Sequence, residues 1–152
     1  MSIDVRRADH TGFTVSDLET ALRLWRDALG FTVLRRFELT GDFAAALSGQ
    51  PGAHSRHAIV HAHGQRVELI EYLSPVPTAR YRPRPCDVGS VHLGLIVADM
   101  GAALAELSAA GCTPVGDPRP IPDGARKGSL FAYVHDPDGV TLELIELAPG
   151  TE

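Results

Sequence analysis

Side chains that could bind a metal ion recur at equivalent places in the two halves of the chain. His10 and His92 each open a segment that repeats at a constant offset. Glu68 and Glu143 each lie in a second repeated segment, nearer the end of each half. The repeated segments are HTGFTVSDLETAL (10–22), HLGLIVADMGAAL (92–104), VELIE (67–71) and LELIE (142–146). Two imidazoles and two carboxylates together suit a divalent ion such as Mn, Co, Ni, Fe or Zn.

Each ELIE segment contains two glutamates, and only one of them can face a given side of a strand. Side chains alternate along a strand, so Glu68 points away from Glu71, and Glu143 points away from Glu146. A buried carboxylate is costly unless it is paired or bound to a metal. The spacing therefore predicts one inward and one outward glutamate in each segment, and leaves open which is which.

The elements that would position these residues are two copies of one βαβββ module. We predict the first module at 7–73 and the second at 90–147, joined by a proline-rich linker at 74–90. Together they make one domain over 1–152. A pseudo-two-fold relation between the modules would gather the two histidines and the two glutamates at one site.

Each module is predicted to start with a strand, continue with a helix and end with further strands. In the first module, Ser16 and Glu19 have the spacing of a capping box, and Gly30 ends the helix. In the second module Asp99 is the predicted N-cap and Gly111 ends the helix. The predicted strands are His10–Val15, Thr32–Leu39, Phe43–Leu47, Ala58–His63, Val67–Leu73, Thr113–Val115, Leu130–His135 and Val140–Leu147.

The composition is that of an ordinary globular protein. Of 152 residues, 44% are apolar and 22% are charged, which excludes intrinsic disorder. The net charge of −5 argues against nucleic acid or an anionic membrane as a partner. No apolar run approaches the ~18 residues that span a bilayer. The start of the chain lacks the apolar segment of a secretory signal, so the cytoplasm is the predicted location.

The loop at 116–129, GDPRPIPDGARKGS, is predicted to border the site and to contact an anionic substrate, and the alternative is a solvated turn. It contains the adjacent cations Arg126 and Lys127, together with Gly124 and Gly128, which permit movement. Loops that connect the elements of a rigid scaffold commonly carry binding residues. Arg126 is the preferred residue, because a guanidinium can hold a carboxylate or phosphate through two parallel hydrogen bonds.

The repeated segments resemble the vicinal oxygen chelate superfamily. This superfamily includes glyoxalase I, methylmalonyl-CoA epimerase, extradiol dioxygenases and fosfomycin- and bleomycin-resistance proteins. The resemblance is carried by DHTGFTVSDLETALRLWRDALGF, VELIEYL, SVHLGLIVADMGAALAELSAAG and HDPDGVTLELIEL. It implies an α+β fold in which two tandem βαβββ modules form a cupped mixed sheet around one divalent metal ion. It also implies His10, Glu68, His92 and Glu143 as ligands, and so selects the first glutamate of each ELIE.

By the same resemblance, the chain is expected to be a divalent-metal-dependent lyase or isomerase of the glyoxalase type. The ion would bind vicinal oxygens of a small-molecule substrate and stabilise an enolate or enediolate. A metal-bound glutamate, Glu143 or Glu68, would act as the base. A homodimer is also expected, since the half-sheets have edges that need covering.

Three alternative activities fit the same superfamily. Extradiol dioxygenases have a site of two histidines and one glutamate. The second glutamate of this chain therefore counts against that activity. Methylmalonyl-CoA epimerases carry an extra glutamate on the strand that corresponds to residues 41–47. Asp42 is the only carboxylate in this segment, which counts against that activity. The presence of all four ligand-type residues counts against a non-catalytic drug-binding resistance protein.

Overall fold

A computed structural model describes residues 3–77 and 79–151. The chain divides into two compact units, Met1–Thr78 and Ala79–Glu152. We call them unit 1 and unit 2. Each unit contains one mixed β-sheet with a helix packed against it, which confirms the predicted α+β class with two βαβββ modules.

Unit 1 follows the predicted order of elements except at Phe43–Leu47, where a helix replaces the predicted strand. Its sheet has the strand order β1-β4-β3-β2, in which β1 runs parallel to β4 and the other neighbours are antiparallel. Helix α1 continues without a break into a π-helical segment, Arg23–Ala28. The elements are β1 (Thr11–Val15), α1 (Leu18–Leu22), β2 (Thr32–Leu39), α2 (Gly41–Ser48), β3 (His54–Ala62) and β4 (Gln65–Ser74).

Unit 2 repeats this arrangement. Its sheet has the order β5-β9-β8-β6, with β5 parallel to β9, and the short strand β7 pairs with β8. The elements are β5 (His92–Ile96), α3 (Met100–Ala109), β6 (Thr113–Pro114), β7 (Arg119–Pro120), β8 (Leu130–His135) and β9 (Thr141–Glu146). Strand β7 lies inside the segment predicted as a loop at 116–129.

The core of each unit lies between the helix and one face of the sheet. In unit 1, Trp25 packs on Phe13 of β1, with a distance of 5.7 Å between the ring centroids. Leu18, Leu22 and Trp25 are each 1% exposed and form the apolar side of the helix that faces the sheet. In unit 2, the alternate residues Leu142 and Leu144 of β9 and Leu107 of α3 are buried. Burying one such side chain contributes about 1.5–3 kcal/mol.

The first helix begins one residue later than predicted. The N-cap of α1 is Asp17, whose carboxylate accepts a hydrogen bond from the Thr20 N–H at 2.7 Å. Glu19 instead pairs with Arg36, so the predicted capping box of Ser16 and Glu19 is wrong. In unit 2, Asp99 is the N-cap as predicted and accepts from the Ala102 N–H at 2.7 Å.

The strand predicted at Phe43–Leu47 is wrong, because this segment is part of helix α2. Three consecutive alanines favour a helix. Gly49, with a φ of 67°, ends this helix in the left-handed conformation that glycine adopts without strain. Phe43 and Leu47 lie four residues apart on one side of α2, and both are exposed.

No helix within residues 3–77 and 79–151 is long and apolar enough to cross a bilayer. Cys86 is exposed and Cys112 is buried. Burial raises the pKa of the Cys112 thiol to about 11, so this thiol stays protonated at neutral pH.

Candidate metal centre

The first His–Glu pair lies in unit 1, on the face of the sheet opposite its core. Gly12 of β1 pairs in register with Glu68 of β4. His10 extends β1 and shares the Gly12 face, since residues two apart along a strand face the same way. The Nε2 atom of His10 lies 2.9 Å from Oε2 of Glu68. The other ring nitrogen of His10 lies 3.2 Å from the Asp9 carboxylate, and this hydrogen bond lowers the pKa of Asp9.

The second pair occupies the equivalent place in unit 2. Gly94 of β5 pairs with Glu143 of the parallel strand β9, and His92 is the first residue of β5. The Nε2 atom of His92 lies 3.6 Å from Oε2 of Glu143. The two glutamate side chains, Glu68 and Glu143, are 13% and 18% exposed. Each pair is therefore partly sheltered but open to a small molecule.

A glycine lies opposite each of these glutamates and leaves room for its carboxylate. A Cβ atom added to Gly94 would lie 3.4 Å from Oε2 of Glu143. A Cβ atom added to Gly12 would lie 3.6 Å from Ile70 and 4.0 Å from Oε2 of Glu68. A methyl group fits at these distances, whereas a branched side chain would press on the carboxylate.

The second glutamate of each ELIE lies on the opposite face of its sheet and accepts hydrogen bonds there. The Glu71 carboxylate accepts a hydrogen bond from the Leu18 N–H at 3.1 Å and from Arg56 at 2.7 Å. The Glu146 carboxylate accepts from the Met100 N–H at 2.5 Å. Leu18 and Met100 are the first residues of α1 and α3. These glutamates thus tie each helix N-terminus to its sheet, where a negative charge is favourable.

Two buried residues next to Glu68 did not emerge from the sequence. The Nδ1 atom of His57 lies 3.0 Å from Oε1 of Glu68, and its Nε2 atom lies 2.8 Å from the Ser55 hydroxyl. Both residues lie on β3, which starts four residues before the predicted strand at Ala58. Extending the alternation backward from Ile59 would have placed Ser55 and His57 on the Glu68 face.

Tyr133 is the corresponding neighbour in unit 2. It lies directly opposite Glu143 in the pairing of β8 with β9. Burial raises the pKa of the Tyr133 hydroxyl, and so do its hydrogen bond to Glu143 and the charge of that carboxylate. The Tyr133 ring also contacts the His92 ring edge-on, with 5.4 Å between the centroids. The hydroxyl therefore stays protonated and donates a hydrogen bond to Glu143.

The predicted substrate-binding residues lie in a turn of unit 2. The Lys127 N–H donates to the Gly124 carbonyl at 3.1 Å, and the Ser129 N–H donates to the Arg126 carbonyl at 3.0 Å. Arg126 is half-buried and Lys127 is exposed. Ser129 is fully buried, and its hydroxyl accepts from the Ala148 N–H at 2.9 Å. The loop is thus anchored at its C-terminal end.

Within residues 3–77 and 79–151, no three His, Cys, Asp or Glu side chains converge as a metal site by themselves. What the structure does place together, among the predicted ligands, is a histidine and a glutamate in each unit, at equivalent strand positions. His10, Glu68, His92 and Glu143 are the residues in these pairs. The same three residue types, glycine, histidine and glutamate, therefore occur at equivalent positions in both units.

This duplicated pattern corresponds to a known family. The family model described as Glyoxalase/Bleomycin resistance protein/Dioxygenase superfamily matches residues 7–144. The chain belongs to this superfamily. The match confirms the resemblance drawn from the repeated segments.

Two relatives within the glyoxalase superfamily are similar over most of their length. A 2-epi-5-epi-valiolone epimerase of Actinomyces sp. is 34% identical over 148 residues, which cover 93% of this chain and 79% of the relative. A probable lactoylglutathione lyase of Synechocystis sp. is 30% identical over 140 residues, which cover 90% of this chain and 92% of the relative. These names support an enzymatic activity in general.

Solved structures of glyoxalase superfamily members share the fold. A glyoxalase family protein from Bacillus cereus superposes with a TM-score of 0.81 at 20% identity, covering 95% of this chain and 96% of that protein. Glyoxalase I from Leishmania major gives a TM-score of 0.63 at 20% identity, covering 93% and 87%. At this level of identity the likeness concerns the fold alone.

Proposed function

We propose that the chain is a divalent-metal-dependent enzyme that moves a proton on a carbon beside a carbonyl, as an isomerase, an epimerase or a lyase of the glyoxalase type. One observation carries the proposal: the His–Glu pair occurs twice, at the same strand register, with a glycine opposite each glutamate. A small-molecule substrate and the cytoplasmic location predicted from the sequence belong to the same proposal.

His10, Glu68, His92 and Glu143 are the proposed metal ligands. With metal–ligand bonds of about 2.1 Å, two donors on one ion lie about 3.0 Å apart at a right angle and about 3.4 Å apart at the tetrahedral angle. The separations of 2.9 Å and 3.6 Å between imidazole nitrogen and carboxylate oxygen are close to these values. Two imidazoles and two carboxylates suit divalent Ni, Co, Zn, Mn or Fe.

The chemistry assigned to the chain is proton transfer by the two carboxylates. A divalent ion, when bound, supplies Lewis-acid stabilisation of negative charge on substrate oxygens. Glu143 or Glu68 accepts the proton as the C–H bond breaks, and the electron pair stays on the substrate as an enolate. Return of the proton to the opposite face gives an epimer, and return to the neighbouring carbon gives an isomer. Both carboxylates are mostly buried, which reduces their hydration.

Epimerisation is the first candidate reaction, because the relative at 34% identity is named as an epimerase. The second candidate is lactoylglutathione lyase activity on a thiohemiacetal, favoured by the relative at 30% identity. In this proposal both reactions would use the same metal ligands and the same base, so the substrate distinguishes them.

The test combines metal analysis with proton exchange. Purified protein is loaded with Ni²⁺, Co²⁺, Zn²⁺, Mn²⁺ or Fe²⁺, and bound metal is measured after gel filtration. We expect one divalent ion per chain, with strong loss of metal affinity in His10→Ala and His92→Ala. The matched control is His61→Gln, an exposed histidine on β3. The loaded protein is then incubated in D₂O with 2-epi-5-epi-valiolone or with a thiohemiacetal, and deuterium in the product is measured.

Unchanged metal stoichiometry and affinity in the His92→Ala variant would overturn the ligand assignment. Protein that binds none of these ions, but does bind a drug of the bleomycin or fosfomycin type, would support the non-catalytic alternative. Oxygen-dependent cleavage of a catechol by the iron-loaded protein would support the dioxygenase alternative.

A further inference from the structure

We propose that His57 is a positioning residue for Glu68, as the centre of a buried hydrogen-bond chain that runs from Ser55 through His57 to the carboxylate. This chain fixes one oxygen of Glu68 and leaves the other for His10 and the metal. The inference rests on the proposed function, because it assigns His57 a role through a proposed metal ligand.

The two oxygens of Glu68 have different partners. Oε1 lies 3.0 Å from Nδ1 of His57, and Oε2 lies 2.9 Å from Nε2 of His10. A carboxylate held at one oxygen cannot rotate freely about its last bond. Oε2 therefore stays directed at His10, on the side where the metal is proposed to bind.

The chemistry of the partners fixes which nitrogen of His57 carries the proton. An ionised carboxylate only accepts hydrogen bonds, so Nδ1 of His57 must donate to Glu68. The Ser55 hydroxyl can both donate and accept, and at 2.8 Å it serves Nε2 of His57 as a donor. A neutral His57 is therefore expected as the Nδ1–H tautomer.

Packing holds the His57 ring in place and keeps it from the substrate. His57 is 5% exposed and Ser55 is 4% exposed. The ring stacks on Phe37 of β2 at a centroid distance of 4.7 Å and an interplanar angle of 12°. With so little exposed surface, neither Ser55 nor His57 touches a substrate, so the assigned role is positioning.

Unit 2 has a phenylalanine at the strand position equivalent to His57, so the chain from Ser55 to Glu68 is not part of what the two modules share. His57 pairs with Ile70 in unit 1, and the residue paired with Ile145 in unit 2 is Phe131. Glu143 is contacted instead by the Tyr133 hydroxyl from directly across the sheet. The fold alone does not require a histidine at position 57, so the presence of His57 points to a role in positioning Glu68.

The experiment measures metal affinity in variants of the full chain. Co²⁺ binding is titrated by calorimetry in wild type, His57→Leu, His57→Asn, Ser55→Ala and the control His61→Gln. Outer-shell partners of metal ligands typically change affinity by about 10–100-fold, so we expect a loss of about 10-fold or more in His57→Leu. His57→Asn should recover part of this loss, because its amide can still donate to Glu68. His61→Gln should bind as wild type does.

A second readout does not depend on metal. Long-range ¹H–¹⁵N correlation spectra of the metal-free protein report which ring nitrogen of each histidine is protonated. We expect the Nδ1–H tautomer for His57 in wild type. In Ser55→Ala we expect His57 to lose its preference for this tautomer. If His57→Leu fails to fold, the Asn and Ala variants and this spectrum still decide the matter.

The outcomes separate this inference from the proposed function. Wild-type protein that binds Co²⁺, together with a folded His57→Leu variant of unchanged affinity, would overturn the role of His57 and leave the metal function standing. Wild-type protein that binds no divalent ion would overturn the metal function, even if the Nδ1–H tautomer confirmed the contact. An Nε2–H tautomer in wild type would contradict the hydrogen-bond chain itself.

Discussion

At the scale of single residues, the two glutamates of each ELIE segment lie on opposite faces of the sheet and have different partners. Glu68 and Glu143 meet histidines on one face of the sheet. Glu71 and Glu146 reach the first N–H groups of the helices on the other face. Strand alternation is the cause, since an odd spacing places the two carboxylates on opposite sides. Substitutions at the two positions should therefore affect different properties.

Replacing Glu146 should lower stability without loss of metal. In Glu146→Ala the Met100 N–H loses its acceptor, so we expect the free energy of unfolding to fall by about 1–2 kcal/mol. Glu146→Gln keeps an acceptor oxygen, so its free energy of unfolding should fall less. Both Glu146→Gln and Glu71→Gln should bind metal as wild type does. Urea unfolding and metal analysis measure the two effects, with Glu143→Gln as the matched variant that loses metal. Metal loss in Glu146→Gln would show that the metal binds on the Glu146 face of the strand and not on the Glu143 face.

At the scale of elements, the site depends on one parallel strand pair in each unit. Gly12 faces Glu68 in the pairing of β1 with β4, and Gly94 faces Glu143 in the pairing of β5 with β9. Because these glycines have no side chain, the neighbouring glutamate can lean across its partner strand towards the histidine. The strand pairing thus sets the distance between nitrogen and oxygen in each pair.

Gly94→Val should weaken metal binding through crowding of Glu143. A Cβ atom at Gly94 already lies 3.4 Å from Oε2, and the added methyl groups would displace the carboxylate. We expect a loss of affinity of about 10-fold, the size typical of disturbed ligand orientation. The control is Gly116→Val in the same unit, where nothing lies within 4 Å of an added Cβ. Equal Co²⁺ affinities in the two variants would show that the glycine is not needed for this purpose.

The loop at 116–129 should affect substrate binding and not metal content. Arg126→Ala should raise KM for an anionic substrate by removing a charge-assisted hydrogen bond, and Lys127→Ala should have a smaller effect. Arg26→Ala serves as control, since Arg26 is exposed and pairs with the adjacent Asp27 at 2.6 Å. Steady-state kinetics and metal analysis check this expectation. Unaltered kinetics in Arg126→Ala, with a confirmed anionic substrate, would leave the loop without a binding role.

The repeat predicted the elements that hold the His–Glu pairs, because both copies keep the same strands and the same glycines. The helix N-cap could also have been read from it, since Asp17 aligns with Asp99, whereas the local capping-box pattern pointed to Ser16. Helix α2 was missed because an apolar run of five residues fits a strand or a helix until its packing is known. His57 was missed for a related reason, since the start of β3 depends on its pairing with β2 and β4 and not on local composition.

At the scale of the whole molecule, each sheet within residues 3–77 and 79–151 ends in strands that are paired on one side only. Strands β1 and β2 are the ends of the unit 1 sheet, and β5 and β6 are the ends of the chain of paired strands in unit 2. Exposed apolar side chains lie on two of these strands, with Leu34 on β2 50% exposed and Ile96 on β5 65% exposed. Unpaired strand edges with apolar side chains favour association with another chain.

We therefore expect a homodimer, or a higher oligomer built from dimers, in which at least one of these edges is covered. Sedimentation velocity at micromolar concentration should show a dimer for wild type. A charge on a covered edge costs desolvation without a partner, so Leu34→Arg or Ile96→Arg should shift the distribution towards monomer. Val88→Arg is the control, since Val88 is fully exposed in the segment between the sheets. A stable wild-type monomer would contradict the expectation, and dimers that persist in both edge variants would place the contact elsewhere on the molecule.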